Sequence, residues 1–162
     1  MRTRFVSNHG DQAMWGRSII VWLLIIGCET VLGTLRQLVL VPMLGEGAVG
    51  DLMARRIGVV VGTAMIFTIT WLAVRWMCGG RAFSSRRLVL IGVQWAALTF
   101  AFEVVIGRLM AMSQTPDGGW SAVWSRLGED YNAARGGLMG FGLLAMALTP
   151  LAAAHMRLRR RR

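Results

Sequence analysis

Lysine is missing altogether, so all 18 basic residues are arginine, set against 8 acidic ones. Cysteine occurs twice (Cys28, Cys78), histidine twice (His9, His155) and asparagine twice (Asn8, Asn132). Two cysteines at different depths of apolar segments do not make a disulfide framework. Two histidines, both outside the apolar core, do not face each other as haem ligation between helices requires. No metal-ligand spacing, phosphate-binding glycine loop or nucleophile–base motif occurs, so no enzyme activity, catalytic residue, metal or cofactor is expected. Missing too is a polar stretch long enough to fold as a soluble domain. Arginine in place of lysine, with 20 glycines, points to a GC-rich bacterial genome.

What is present is apolar. The hydrophobic fraction is 55% and the mean hydropathy +0.53. The excess falls into four blocks, 18–41 (opened by Arg17 and closed by Pro42), 57–77, 88–110 and 136–155. Each is roughly 20 residues, enough to cross a bilayer as a helix. This excludes a soluble enzyme and a disordered tail protein. The net charge of +10 is a reason to consider nucleic acid. The arginines, however, sit at the ends of the apolar blocks, where membrane topology needs them, so the expected partner is the lipid bilayer and not nucleic acid.

Twelve arginines (2, 4, 17, 75, 81, 86, 87, 157 and 159–162) fall on the side of the N-terminus and five (55, 56, 108, 126, 135) on the other. That asymmetry places both termini in the cytoplasm of a bacterium, with the chain in the inner membrane. The expected organisation is an N-terminal arm (1–17), a first transmembrane hairpin (18–77), a cytoplasmic loop (78–87), a second hairpin (88–155) and a basic tail (156–162) that anchors at anionic headgroups. Ile25-Ile26-Gly27-Cys28 has the look of a lipoprotein cleavage box, but the apolar run continues past Cys28, where a mature lipoprotein is polar. An uncleaved first span is favoured.

An internal repeat is the next signal. At an offset of 74, Glu29, Val31, Gly33, Leu35, Pro42 and Gly45 meet Glu103, Val105, Gly107, Leu109, Pro116 and Gly119. After five extra residues, Asp51, Ala54, Arg56 and Gly58 meet Asp130, Ala133, Arg135 and Gly137. Both hairpins start on the same side, so the expected fold is an all-α, polytopic membrane four-helix bundle built from two parallel transmembrane hairpin repeats. The segments Glu29-Thr-Val-Leu-Gly-Thr-Leu-Arg36, Gly50-Asp51, Ala54-Arg55-Arg56-Ile57-Gly58 and Phe102-Glu103 resemble those of a group of small, uncharacterised bacterial inner-membrane proteins with four spans. The resemblance covers most of residues 20–150 and implies the same four-span fold, with no activity attached to it.

The chemistry lies in the charges inside the spans. At 1.5 Å per residue, Glu29 is roughly 18 Å beyond Arg17, Arg36 roughly 28 Å beyond Arg17, and Glu103 roughly 24 Å beyond Arg87. A charge near the bilayer centre costs about 2.5–3.5 kcal/mol or more, so each should face protein or water and have a partner. Glu29, Gly33 and Arg36 share one helical stripe, and Gly92, Ala96, Thr99, Glu103 and Gly107 share another, small enough for close helix approach. Arg36 is therefore expected to pair with Glu103. Glu29, left without an equal cation, must be protonated or solvated by a pocket. A neutral Glu29 bonded to Thr63 or Thr68 is the plain alternative. Arg108 should reach the outer headgroups.

Asp51–Arg56 and Asp130–Arg135 read as duplicated outer struts. Gly58-x3-Gly62 and Gly136-x3-Gly140 read as helix-packing patterns, within the bundle or between subunits. Trp120, Trp124, Leu127 and Tyr131 follow i, i+4, i+7, i+11, a short interfacial helix near 120–131 with an aromatic edge toward the acyl boundary, or a patch for carbohydrate or a partner. The candidate polar site is thus Glu29, Arg36, Glu103, Asp51, Arg56, Asp130 and Arg135. It serves either a solute or proton that is bound or transported, or it clasps the bundle. A scaffold or accessory subunit of a larger membrane complex, or a homo-oligomer, is the alternative; a membrane-embedded enzyme would need a nucleophile or metal beside the glutamates.

Overall fold

The computed structural model describes residues 5–45, 47–79, 84–114, 119–132 and 137–159. Helix α1 (Phe5–Leu35) runs through a π-helical turn (Arg36–Leu40) into α2 (Val41–Leu44). Then come α3 (Ala48–Met77), α4 (Ser85–Gln114), α5 (Trp120–Tyr131) and α6 (Met139–Arg159). Four segments are long and apolar enough to cross a membrane: Gln12–Leu44, Leu52–Met77, Ser85–Ser113 and Met139–Met156. The fold is all-α with four candidate membrane-spanning helices. A helix satisfies its own backbone, which is what hydrocarbon demands. Leu23, Leu24, Leu72 and Leu90 stay exposed on its outside, as a lipid-facing surface would have them.

The expected stop at Pro42 is corrected by the structure. The helix passes through Pro42 to Leu44, after widening so that the Val41 N–H is received by the Arg36 carbonyl. Proline lacks an N–H and its ring crowds the carbonyl four residues back. A π turn just before it removes that crowding without ending the helix. The fourth span begins at Met139 rather than at 136.

Helix α6 packs along α4 and α3, α1 packs along α3, and a slighter contact of α1 with α4 closes the bundle. The dense core is at one end, where α1 begins, α3 ends, α4 begins and α6 ends. It holds Met14, Ile25, Met77, Ile91, Trp95 and Ala153. Trp95 is fully buried and donates from Nε1 to the Ser18 carbonyl at 3.0 Å. Trp22 Nε1 donates to Thr99 Oγ1 at 3.1 Å, and that hydroxyl donates to Met146 Sδ at 3.1 Å. Gly92 allows α4 to meet α6 so closely that a methyl there would collide with the Ala147 carbonyl. Arg17 Nη1 donates to the Trp76 carbonyl at 3.0 Å, with its guanidinium 5.5 Å from the centre of the Trp76 ring.

Candidate functional site

At the opposite end the stripe Glu29–Gly33–Arg36 faces α3. There Gly58 and Gly62 are one turn apart. A methyl at Gly62 would lie 2.7 Å from Glu29 Oε1, and one at Gly58 would lie 3.3 Å from Arg36 Cδ and 3.8 Å from its Nη1. The expected helix-packing pattern of Gly58-x3-Gly62 is therefore a seat for two polar side chains of the first span. Glycine removes the bulk that would displace them.

Two cavities adjoin here. The inner one, about 290 Å³, lies among α1, α3, α4 and α6 and is walled by Glu29, Thr63, Gly62, Ile66 and Leu143 among others. The outer one, about 360 Å³, lies beneath α5, with Arg55, Arg126, Glu129 and Asp130 on its wall. Arg36, Glu103, Val59, Phe102 and Met139 belong to both. Helix α5 is fastened over the outer cavity at its C-terminal end. Tyr131 donates its hydroxyl to Glu103 Oε2 at 2.9 Å, and its ring meets Phe100 edge-on at 5.9 Å. Burial first, and the bond to Glu103 next, hold the Tyr131 hydroxyl above its ordinary acidity range. Arg55 Nη1 and Asp130 Oδ1 form an ion pair at 2.9 Å, tying α3 to α5.

Glu103 thus takes a tyrosine hydroxyl, and the expected Arg36–Glu103 ion pair does not form. Similar depth along two helices does not fix how their faces turn, and Arg36 turns onto Gly58. Among the described residues Glu29 Oε1, Arg36 Nε and Glu103 Oε1 are buried without a hydrogen-bond partner. Thr68 does not serve Glu29, because its hydroxyl donates to the Ala64 carbonyl at 2.8 Å. Thr63 lines the inner cavity beside Glu29.

The outer struts differ from expectation as well. Asp130 is held by Arg55, one position before the arginine that matched in the repeat. Arg56 is exposed on α3 and lines neither cavity. Asp51 lies in the first turn of α3; its side chain, and all of Arg135, Gly136 and Pro116, lie outside the described residues. The interfacial helix spans Trp120–Tyr131, but its aromatic stripe divides. Trp120 and Trp124 are exposed and stacked with ring centres 6.3 Å apart. Leu127 faces the outer cavity, and Val123 is buried there. Arg108 lies with its guanidinium 5.1 Å from the centre of the Trp120 ring. Sequence reasoning missed Arg55, Arg126, Glu129 and Gln37 as cavity residues. Among the described residues no group of three metal-ligating side chains gathers.

No protein-family model, no curated protein and no solved structure matches this chain.

Proposed function

We propose that this chain is a non-enzymatic, multi-pass protein of the bacterial inner membrane, with both termini cytoplasmic, that binds a small solute in the joined cavities. Glu29, Arg36 and Glu103 form the binding group. On this reading the two hairpins are diverged repeats. Each kept its intramembrane glutamate, while Arg36 and the Gly62 seat belong to the first alone, where the second has Met110 and Phe141.

The observation that carries the reading is that Glu29, Arg36 and Glu103 line one cavity while each keeps a buried atom, Oε1, Nε and Oε1 respectively, without a partner. A clasp that only fastens helices would have closed Arg36 onto Glu103. An unsatisfied buried polar atom costs about 1–3 kcal/mol, and a ligand or water that enters the cavity removes that cost. The test is chemical access. Val59, on the wall of both cavities, is replaced by cysteine after Cys28→Ala and Cys78→Ala. The protein is reconstituted in vesicles, and a membrane-impermeant thiosulfonate is added from either face. Modification from the face opposite the termini is expected. No modification from either face would leave the clasp, and with it a scaffold or assembly subunit, as the better reading.

A further inference from the structure

Taking the solute-binding reading as its basis, we infer that the ligand is a small organic cation with an apolar body. The inner cavity holds two carboxyl groups, Glu29 and Glu103, and one guanidinium, Arg36. With all three ionised the group lacks one positive charge. Two buried carboxylate oxygens, Glu29 Oε1 and Glu103 Oε1, lack donors, against one buried N–H, that of Arg36 Nε, which lacks an acceptor. Glu29 sits on Gly62 and Arg36 on Gly58, positions one turn or about 6 Å apart along α3. The two side chains are therefore seated apart, and Arg36 does not take up Glu29 Oε1. An ammonium brings donors for the two carboxylate oxygens and the missing charge together, and leaves the Arg36 N–H to water. A simple anion would gain Arg36 but meet two carboxylates.

The rest of the wall selects against a bare metal ion. Apart from Thr30, Thr63 and Thr99 the side chains there are apolar, among them Ile26, Leu32, Ile66, Phe102 and Leu143, whereas a hard cation wants six or more oxygens around it. These side chains suit an alkyl or aromatic body, and Phe102 offers the ring that an organic cation favours. At about 290 Å³ the chamber is at the small end of ligand pockets, so the body is compact, of the order of one ring.

The probes are three molecules with one phenyl body and different charge: phenethylammonium, phenylpropionate and phenylalanine. Each is titrated calorimetrically into the full chain in lipid nanodiscs, with protein-free nanodiscs as the baseline. Phenethylammonium should bind the wild type, and the anion and the zwitterion should bind about tenfold more weakly or worse. Glu29→Gln keeps the shape and loses the charge, and should weaken phenethylammonium by about tenfold. Arg36→Gln takes away the positive charge that opposes a cation in the cavity and should raise the affinity of phenethylammonium. Equal or tighter binding of phenylpropionate or phenylalanine overturns the inference, as does loss of phenethylammonium binding in Arg36→Gln to the extent seen in Glu29→Gln. If none of the three probes binds, the inference is overturned too, and protons become what the glutamates take. The wild-type series decides by itself if a variant does not fold. Should Val59→Cys be reached by the thiosulfonate while the anion binds best, the charge of the ligand is wrong and the binding site stands. Should Val59→Cys be unreactive and every probe fail, both fall.

Discussion

At the end of the bundle where α3 gives way to α4, tryptophans do the work that charges do at the other. Trp95 is sealed among Met14, Ile25 and Ala153 and hands its one donor to the Ser18 carbonyl. Trp22, Thr99 and Met146 form a short relay from one helix to the next. At the far end the same helices part around two cavities, and Glu29, Arg36 and Glu103 keep atoms without partners. Satisfied networks in an apolar interior make one arrangement rigid, and unsatisfied groups are costly in the same medium. The contrast teaches that close packing and unsatisfied polarity are divided along the length of the helices: the dense end holds the bundle, and the open end carries the cavities and their polar groups.

The largest effect expected is at the dense end. Trp95→Ala should lower stability by about 3–5 kcal/mol, since it removes a large buried side chain and its added hydrogen bond to the Ser18 carbonyl. Denaturation of the purified protein in mixed micelles measures it. A loss below about 1 kcal/mol would mean that this end is not the anchor. Next in size is Gly92→Ala, which drives a methyl into the Ala147 carbonyl and should cost about 1–3 kcal/mol. Gly33→Ala serves as its counterpart at the open end. It meets nothing within 4 Å and should be neutral or slightly stabilising, because alanine is the better helix former. Equal losses at both glycines would erase the distinction.

The contrast was partly legible in the sequence. The four spans were, because apolar runs of bilayer length can hardly be anything else. Helix α5 was, because Trp120, Trp124, Leu127 and Tyr131 repeat at helical spacing. The intramembrane glutamates stood out by their cost alone. What was hidden is rotational. Arg36 and Glu103 agree in depth, yet Arg36 turns to Gly58 and Glu103 to Tyr131. A glycine pair four residues apart reads the same whether it admits a helix or a carboxylate. Arg55 and Asp130 are 75 residues apart, and the repeat drew attention to Arg56 instead. The tryptophans of the dense end gave no sign of their buried hydrogen bonds, which depend on where neighbouring helices place a carbonyl or hydroxyl.

Smaller effects sharpen the account of how α5 is fastened. Tyr131→Phe removes the donor to Glu103 and should cost about 1 kcal/mol. A double-mutant cycle on Arg55 and Asp130 should give a coupling of about 0.2–1 kcal/mol, because the pair is partly solvated, at 42% and 32% exposure. The matching cycle on Arg36 and Glu103 should be close to additive. A coupling there larger than that of Arg55 with Asp130 would restore the ion pair that the geometry does not form.

Helix α3 runs from the cavities to the dense core, so it carries its own control. Amide hydrogen exchange of the unmodified protein in lipid nanodiscs, resolved along α3, tests the division between the ends most directly. The account predicts faster exchange over Gly58–Thr63, beside Glu29 and Arg36, than over Thr70–Met77, which packs in the core. Uniform protection along α3, or faster exchange in the Thr70–Met77 half, would contradict it.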